Sequence, residues 1–307
     1  MGMLPSHIRL VASMHKQYGF EGPVCSLGNQ DIWASLDDIK EYFRETGCAY
    51  NTPRSIKAHS SRTFGMSSEL SRLSRDFVHA STLFEAFGIT EYLDLDKFDS
   101  DNPALRHDLN EPIPAGLEGR FGMVFDGGTI EHIFDMRQVM ANIVRMLHPR
   151  GCVVHIASFS MDHGLYALSP GFFFDYYGAN GFGEFECFIM EADFSDITRT
   201  YARRKRYLEY RYGMNLEGLL DMNKEILVFF AARKLDAVPV PVVPTQGAYA
   251  RRGNLAEAPP TARTSLFERV VPFWLQPIAA PFRPLMRAAY QAVLRRRALR
   301  SVRSGLI

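Results

Sequence analysis

Glu131 and His132 stand side by side, just past Asp126, Gly127, Gly128 and Thr129. A carboxylate beside an imidazole is a simple device for moving a proton near neutral pH, because histidine titrates there. A second polar group, Asp162, His163 and Tyr166, follows a later β-branched run and offers a rival imidazole. Upstream, Gly28, Gln30, Asp31, the acids Asp94 and Asp96, and the pair Asp108-Leu109 all fall where apolar runs stop. A glycine there lets the backbone approach a ligand where a Cβ would collide, and a carboxylate accepts hydroxyl or amino hydrogens. One acid or glycine at a strand end is ordinary turn chemistry. Four successive strand ends with that signature point to a shared site.

The apolar pattern says which elements hold these residues. "PVCSLG" (23–28) reads as a short buried strand, "WASLDDIKEYFRET" (33–46) as a helix, and about 67–87 as a second helix ending at Gly88. "TEYLDLD" (90–96) alternates as a strand does, and the prolines of "HDLNEPIP" (107–114) exclude helix. "FGMVFD" (121–126) is the next strand, and "MRQVMANIVRML" (136–147) has helical period until "HPRG" stops it. "GCVVHIASF" (151–159) is a strand and "PGFFFDYYGANG" (170–181) a short aromatic helix. "FGEFECFIMEA" (182–192) and "KEILVFFAARK" (224–234) are further strands. Strands alternating with helices imply an α/β sheet, mostly parallel, with helices on both faces. Ligands of such sheets bind beyond the carboxyl ends of the strands, where strand order reverses.

The chain of 307 residues is 47% hydrophobic, enough for one large domain with appendages. We divide it into an N-terminal segment (1–20), the α/β body (21–235), a Pro/Ala/Gly-rich linker (236–262) and a basic amphipathic tail (263–307). The net charge of +1 hides an asymmetry: from Arg251 onward there are 11 arginines, no lysine and two acids. Pro284 to Val302 has the pattern of a basic amphipathic helix, suited to an anionic membrane surface. The acidic body and the lack of a reading motif argue against nucleic acid. Cys25, Cys48, Cys152 and Cys187 are scattered, which predicts no disulfide frame and a reducing compartment. With no signal peptide or membrane-spanning run, a cytoplasmic location is expected, with peripheral membrane contact through the tail.

Taken in order, "VCSLGNQD", "YLDLD", "HDLNEPIP", "VFDGGTIEHIFD" and "MLHPRGCVVHI" resemble the class I S-adenosylmethionine-dependent methyltransferases. The resemblance covers about residues 20–235, and "DHGLYALSPGFFFDYYGANGF" is similar to a block recurring in a bacterial subset. It implies a Rossmann-like sheet and S-adenosylmethionine as cofactor. Gly28, Gln30 and Asp31 would lie at the cofactor's amino-acid end, Asp96 at the ribose, and Asp108 and Leu109 at the adenine. Asp126, Gly127 and Gly128 would line the cleft, with His132 or His163 as base and Glu131 beside them. The family's first loop carries two or three glycines, whereas here only Gly28 remains. Some members hold a metal with Glu-x-x-Glu-His; Gly128 replaces the first Glu, so no metal is expected. The expected activity is methyl transfer to a small-molecule or saccharide acceptor, at oxygen. The alternative is a non-catalytic scaffold of the same fold that recruits a partner or membrane through its tail.

Overall fold

The computed structural model describes residues 2–58, 76–98, 102–160, 163–192, 207–216, 219–221, 223–236 and 240–252. Asp162, the start of the helix expected over 67–87 and the basic tail lie outside the described residues. Among the described residues eleven strands form two sheets: β1 (Gly2–Met3), β2 (Val24–Leu27), β3 (Asp31–Ser35), β4 (Phe77–His79), β5 (Tyr92–Asp96), β6 (Leu105–Arg106), β7 (Phe121–Asp126), β8 (Leu147–Ser158), β9 (Phe182–Ala192), β10 (Tyr207–Glu209) and β11 (Glu225–Lys234). The large sheet runs β10-β9-β11-β8-β7-β2-β5-β6 and the small one β1-β3-β4. In the large sheet β6, β5, β2, β7 and β8 are mutually parallel, and β11 inserts antiparallel between β8 and β9.

Strand order fixes the ligand position in such a sheet. From β2 the chain moves outward to β5 and β6, then returns to the other side of β2 with β7 and β8. The reversal therefore lies between β2 and β7, and the crevice beyond their carboxyl ends is the expected site.

Both faces of the sheet are buried, as a parallel sheet requires. Along β11, Leu227 and Phe229 join one core while Val228 and Phe230 join the other. The first core takes α1 (Pro5–Tyr18), α2 (Leu36–Thr46) and α3 (Ala80–Ala86); the second takes α4 (Met136–Met146) and α5 (Pro170–Ala179). Phe173, Phe174, Tyr176 and Tyr177 of α5 are buried in that second core, so most of this aromatic block is core and not an acceptor pocket. All four cysteines are buried and unpaired.

Four expectations change. The helix expected over 33–46 begins only at Leu36, because Ser35 is its N-cap: Asp38 N donates to Ser35 Oγ and Ser35 N to the Asp38 carboxylate. Residues 31–35 are instead a strand with Ile32, Trp33 and Ala34 buried, paired to β1 through Asp31 and Ile32 and to β4 through Asp31 and Ser35. Phe77 and Val78, expected in a helix, form β4, and α3 starts behind the His79 cap. The segment 1–20 packs into the body, with Met3, Leu4, Ile8 and Val11 in its core. Part of the expected linker is also fixed: the Asn180 amide grips Val242 through both its N–H and its carbonyl, and α6 (Gly247–Arg252) buries Ala250. Among the described residues no helix is long and apolar enough to cross a membrane.

Candidate functional site

Leu27 of β2 pairs with Leu95 of β5 on one side and Asp126 of β7 on the other, so the ends of three strands meet at the reversal. Gly28 turns the chain there with φ of 74°, a conformation that favours glycine. Its N–H donates to Leu95 O at 2.7 Å, and Ser26 Oγ donates to Gly28 O at 2.8 Å. A Cβ on Gly28 would lie 2.9 Å from Thr129 Oγ1 and 3.8 Å from Asp96 Oδ2. Gly28 and Asp96 are thus neighbours, as expected. Asp96 is half-buried, and its other oxygen accepts from Phe98 N at 3.0 Å.

The turn is rich in acceptors. Gln30 Nε2 and Thr129 Oγ1 both donate to Leu27 O, at 2.7 and 2.6 Å. That leaves Gln30 Oε1 and Asn29 Oδ1 buried with no hydrogen-bond donor among the described residues. Buried acceptors are nearly always satisfied in native proteins, so two together at a ligand crevice call for a donor from outside. Gly127 makes room for this arrangement, since a Cβ there would collide with Gln30 Oε1. The element after the turn is a strand, and the first helix N-terminus comes only at Leu36. Among the described residues the turn therefore lacks the positive helix end that seats a pyrophosphate.

The remaining expected cofactor residues divide. Asp31 opens β3, its backbone paired with Gly2 and His79, which places it in the small sheet. Asp108 is held by its own loop: Lys97 Nζ lies 2.7 Å from Oδ2, and Asn110 donates twice to Oδ1. The Lys97 hydrogen bond leads in holding its pKa down to about 2. Leu109 is buried, and its carbonyl accepts from Asn142. Gly128, with φ of 90°, serves the turn conformation.

Asp126 is corrected from a cleft residue to a buried structural one. Its Oδ1 accepts from Thr129 N and Ile130 N, and its Oδ2 from His155 Nδ1 at 2.7 Å. A carboxylate only accepts, so Nδ1 carries the proton and Nε2 accepts from Tyr177 OH at 2.7 Å. Asp126, His155 and Tyr177 are all fully buried, and burial raises the Tyr177 phenol well above its usual range.

Glu131 and His132 lie in the 3-10 turn Ile130–His132 that follows β7. His163 approaches from beyond β8, with its Nε2 3.9 Å from Glu131 Oε1 and its ring centroid 5.2 Å from that of His132. The approach depends on Gly164: at φ of 75°, a Cβ there would lie 2.9 Å from the Glu131 backbone carbonyl and side chain. Leu165 N then donates to Glu131 O at 2.7 Å, and Tyr166 OH to Phe134 O at 2.8 Å. Glu131 is wholly buried; desolvation, reinforced by Asp126, raises its pKa to about 7. Its Oε1 accepts weakly from Ser158 N at 3.3 Å, while Oε2 has no hydrogen-bond partner among the described residues. Partial burial lowers the pKa of His132. The structure therefore brings both candidate bases and the acid into one cluster.

Sequence reasoning passes over Asn142 and His155. Asn142 is buried in α4, donates to Leu109 O and Glu111 O, and accepts from Ile113 N. It clamps the loop that follows β6. The signal was an amide on the apolar face beside Val139, Ile143 and Met146. His155 was marked by a lone imidazole within a β-branched run.

No family model matches the chain, and no curated protein matches it. Among solved structures it is similar to a SAM-dependent methyltransferase from Thermotoga maritima, at 12% identity over 74% of this chain and 87% of that one, with a TM-score of 0.35. A SAM-dependent methyltransferase from Archaeoglobus fulgidus gives 12% identity over 74% and 94%, with a TM-score of 0.34. Likenesses this slight carry no argument. The class of the protein follows from its own strand order: an open, doubly wound α/β sheet with its crevice between β2 and β7.

Proposed function

We propose that the protein is a methyltransferase that uses S-adenosylmethionine and methylates a small-molecule or saccharide acceptor at oxygen. One observation carries the reading: the turn at the strand reversal offers acceptors and, among the described residues, no helix N-terminus. Asn29 Oδ1, Gln30 Oε1 and Asp96 Oδ2 suit a ligand that brings donors and positive charge, not a pyrophosphate. An amino-acid ammonium would satisfy the two buried amide oxygens, and a ribose diol would donate to Asp96. Gly28 keeps the wall between them thin. Leu109, in the loop clamped by Asn142, would pack against a purine.

When bound, S-adenosylmethionine supplies a methyl group on a sulfonium, open to attack by an oxygen nucleophile. The chain must then position that oxygen and remove its proton. Glu131, His132 and His163 are the groups for that task, and a Glu131 pKa of about 7 puts its proton exchange near neutrality. Exposed Phe134 and Leu165 flank the cluster and suit the apolar face of a sugar ring or another small acceptor. A cytoplasmic location and membrane contact through the tail remain part of the proposal.

Calorimetry with S-adenosylhomocysteine tests the reading. Asp96→Ala should weaken binding about 10- to 100-fold, the loss of one or two hydrogen bonds to an ionised group, with unchanged urea unfolding. No binding to the wild type would remove the assignment.

A further inference from the structure

We infer that Glu131, His132 and His163 form a binding site for a divalent transition-metal ion. Their ligand atoms, one carboxylate oxygen and two imidazole nitrogens, all lie within 4.8 Å of one another. Two borderline nitrogen donors and one carboxylate suit zinc, cobalt or manganese and leave coordination positions open. In a tetrahedral site with bonds of about 2.1 Å, neighbouring ligand atoms stand roughly 3.3 Å apart. The 3.9 Å between Glu131 Oε1 and His163 Nε2 is wider by about half an ångström, which a small rotation of the half-buried His163 ring closes.

A second observation points to a ligand. Glu131 is 0% exposed, yet its Oε2 meets no hydrogen-bond donor among the described residues. A buried carboxylate oxygen left unsatisfied is costly, and a cation removes the cost. The surroundings hold this carboxylate in place: Leu165 N fixes its backbone carbonyl, Gly164 packs against its Cβ and Cγ, and Ser158 N takes the other oxygen. His132 is exposed and His163 half-buried, so the open side of the cluster faces solvent. An ion seated there would have the protein at its back and free positions toward solvent.

The site rests on this geometry alone; only its use rests on the proposed methyl transfer. In that use the acceptor hydroxyl fills an open position. Coordination would lower its pKa and its proton would leave to solvent; its oxygen would then bond to the sulfonium methyl as the S–CH3 bond breaks and S-adenosylhomocysteine departs. The imidazoles then act as ligands, and the expectation of no metal would be overturned. The motif reading set a metal aside because Gly128 stands where Glu-x-x-Glu-His has its first Glu; the third ligand comes instead from a different loop.

The test is a titration of chelator-treated full-length protein with Co²⁺, followed by calorimetry and visible absorption. We expect one ion per chain, with d–d bands of a four- or five-coordinate nitrogen–oxygen site. His163→Ala and Glu131→Gln should each weaken binding more than about 100-fold, beyond the loss typical of an outer-shell partner. Should Glu131→Gln fail to fold, His163→Ala and His132→Ala decide the matter, since both residues reach the surface. No stoichiometric Co²⁺ binding to the wild type, or His variants binding as tightly as it does, would overturn the site. Because Co²⁺ is titrated without S-adenosylhomocysteine, loss of that ligand's binding with Co²⁺ binding intact would strike the proposed function and spare the site.

Discussion

Two acid–histidine groups lie on either side of one turn and differ in how far their polar atoms are satisfied. Asp126 with His155 and Tyr177 is closed: the described oxygens and nitrogens of these side chains have partners within 2.7–3.3 Å. Glu131 with His132 and His163 is open: one carboxylate oxygen has no hydrogen-bond partner among the described residues, and the rings reach the surface. Each holds a carboxylate beside an imidazole, and burial of the acid is complete in both. Satisfaction is what separates them. A closed network fixes the strand ends and an open one retains capacity for a ligand.

Breaking the closed group should have the largest effect. Asp126→Ala strands His155 Nδ1 and the N–H groups of Thr129 and Ile130 in the core. It should cost about 3–5 kcal/mol in urea unfolding, the range for removing one partner of a buried charged network. A loss below about 1 kcal/mol would remove the distinction between the two groups.

The open group should respond to pH instead. The folded-state pKa of Glu131 is raised from 4.5 to about 7, so its native carboxyl stays protonated where the unfolded one has ionised. Stability of the metal-free protein should therefore be full below about pH 4.5, fall as pH rises toward 7, and level off above. The fall is up to about 3 kcal/mol from this residue. Glu131→Gln should flatten that slope while leaving acid-side stability within about 1 kcal/mol of wild type. An unchanged slope would show that Glu131 is already satisfied.

Asn142→Ala comes next, with about 1–3 kcal/mol lost as Leu109, Glu111 and Ile113 backbone groups lose their partner. S-adenosylhomocysteine affinity should drop with it. Least affected should be Lys97→Ala, at most about 1 kcal/mol in stability, since the Lys97–Asp108 pair sits near the surface. If Lys97→Ala weakened ligand binding more than Asn142→Ala, the loop would be held by the ion pair and not by the amide.

Much of the sheet was legible because its signals are local. The alternation of 90–96 and the closing acids of β5 and β7 fixed strands and their ends. The capping pair Ser35 and Asp38 was equally local, and it set the true start of α2. β3 and β4 were not legible, since they exist by pairing with each other and with Gly2–Met3, a long-range event that overrides local helical spacing. At the site, adjacency in the chain misled once. Asp126 and Glu131 belong to one motif, yet Asp126 bonds to buried His155 while Glu131, in the 3-10 turn that follows, meets His163. The meeting of His163 with Glu131 depends on Gly164 in a left-handed conformation, a local signal whose consequence is visible only in three dimensions.

Parallel calorimetric titrations of the wild-type protein with S-adenosylmethionine and with NAD⁺ test the account most directly. The acceptor-lined turn, with no helix N-terminus behind it, predicts saturable binding of the sulfonium nucleoside and none of the dinucleotide. Binding of the dinucleotide, or silence toward both, would contradict it.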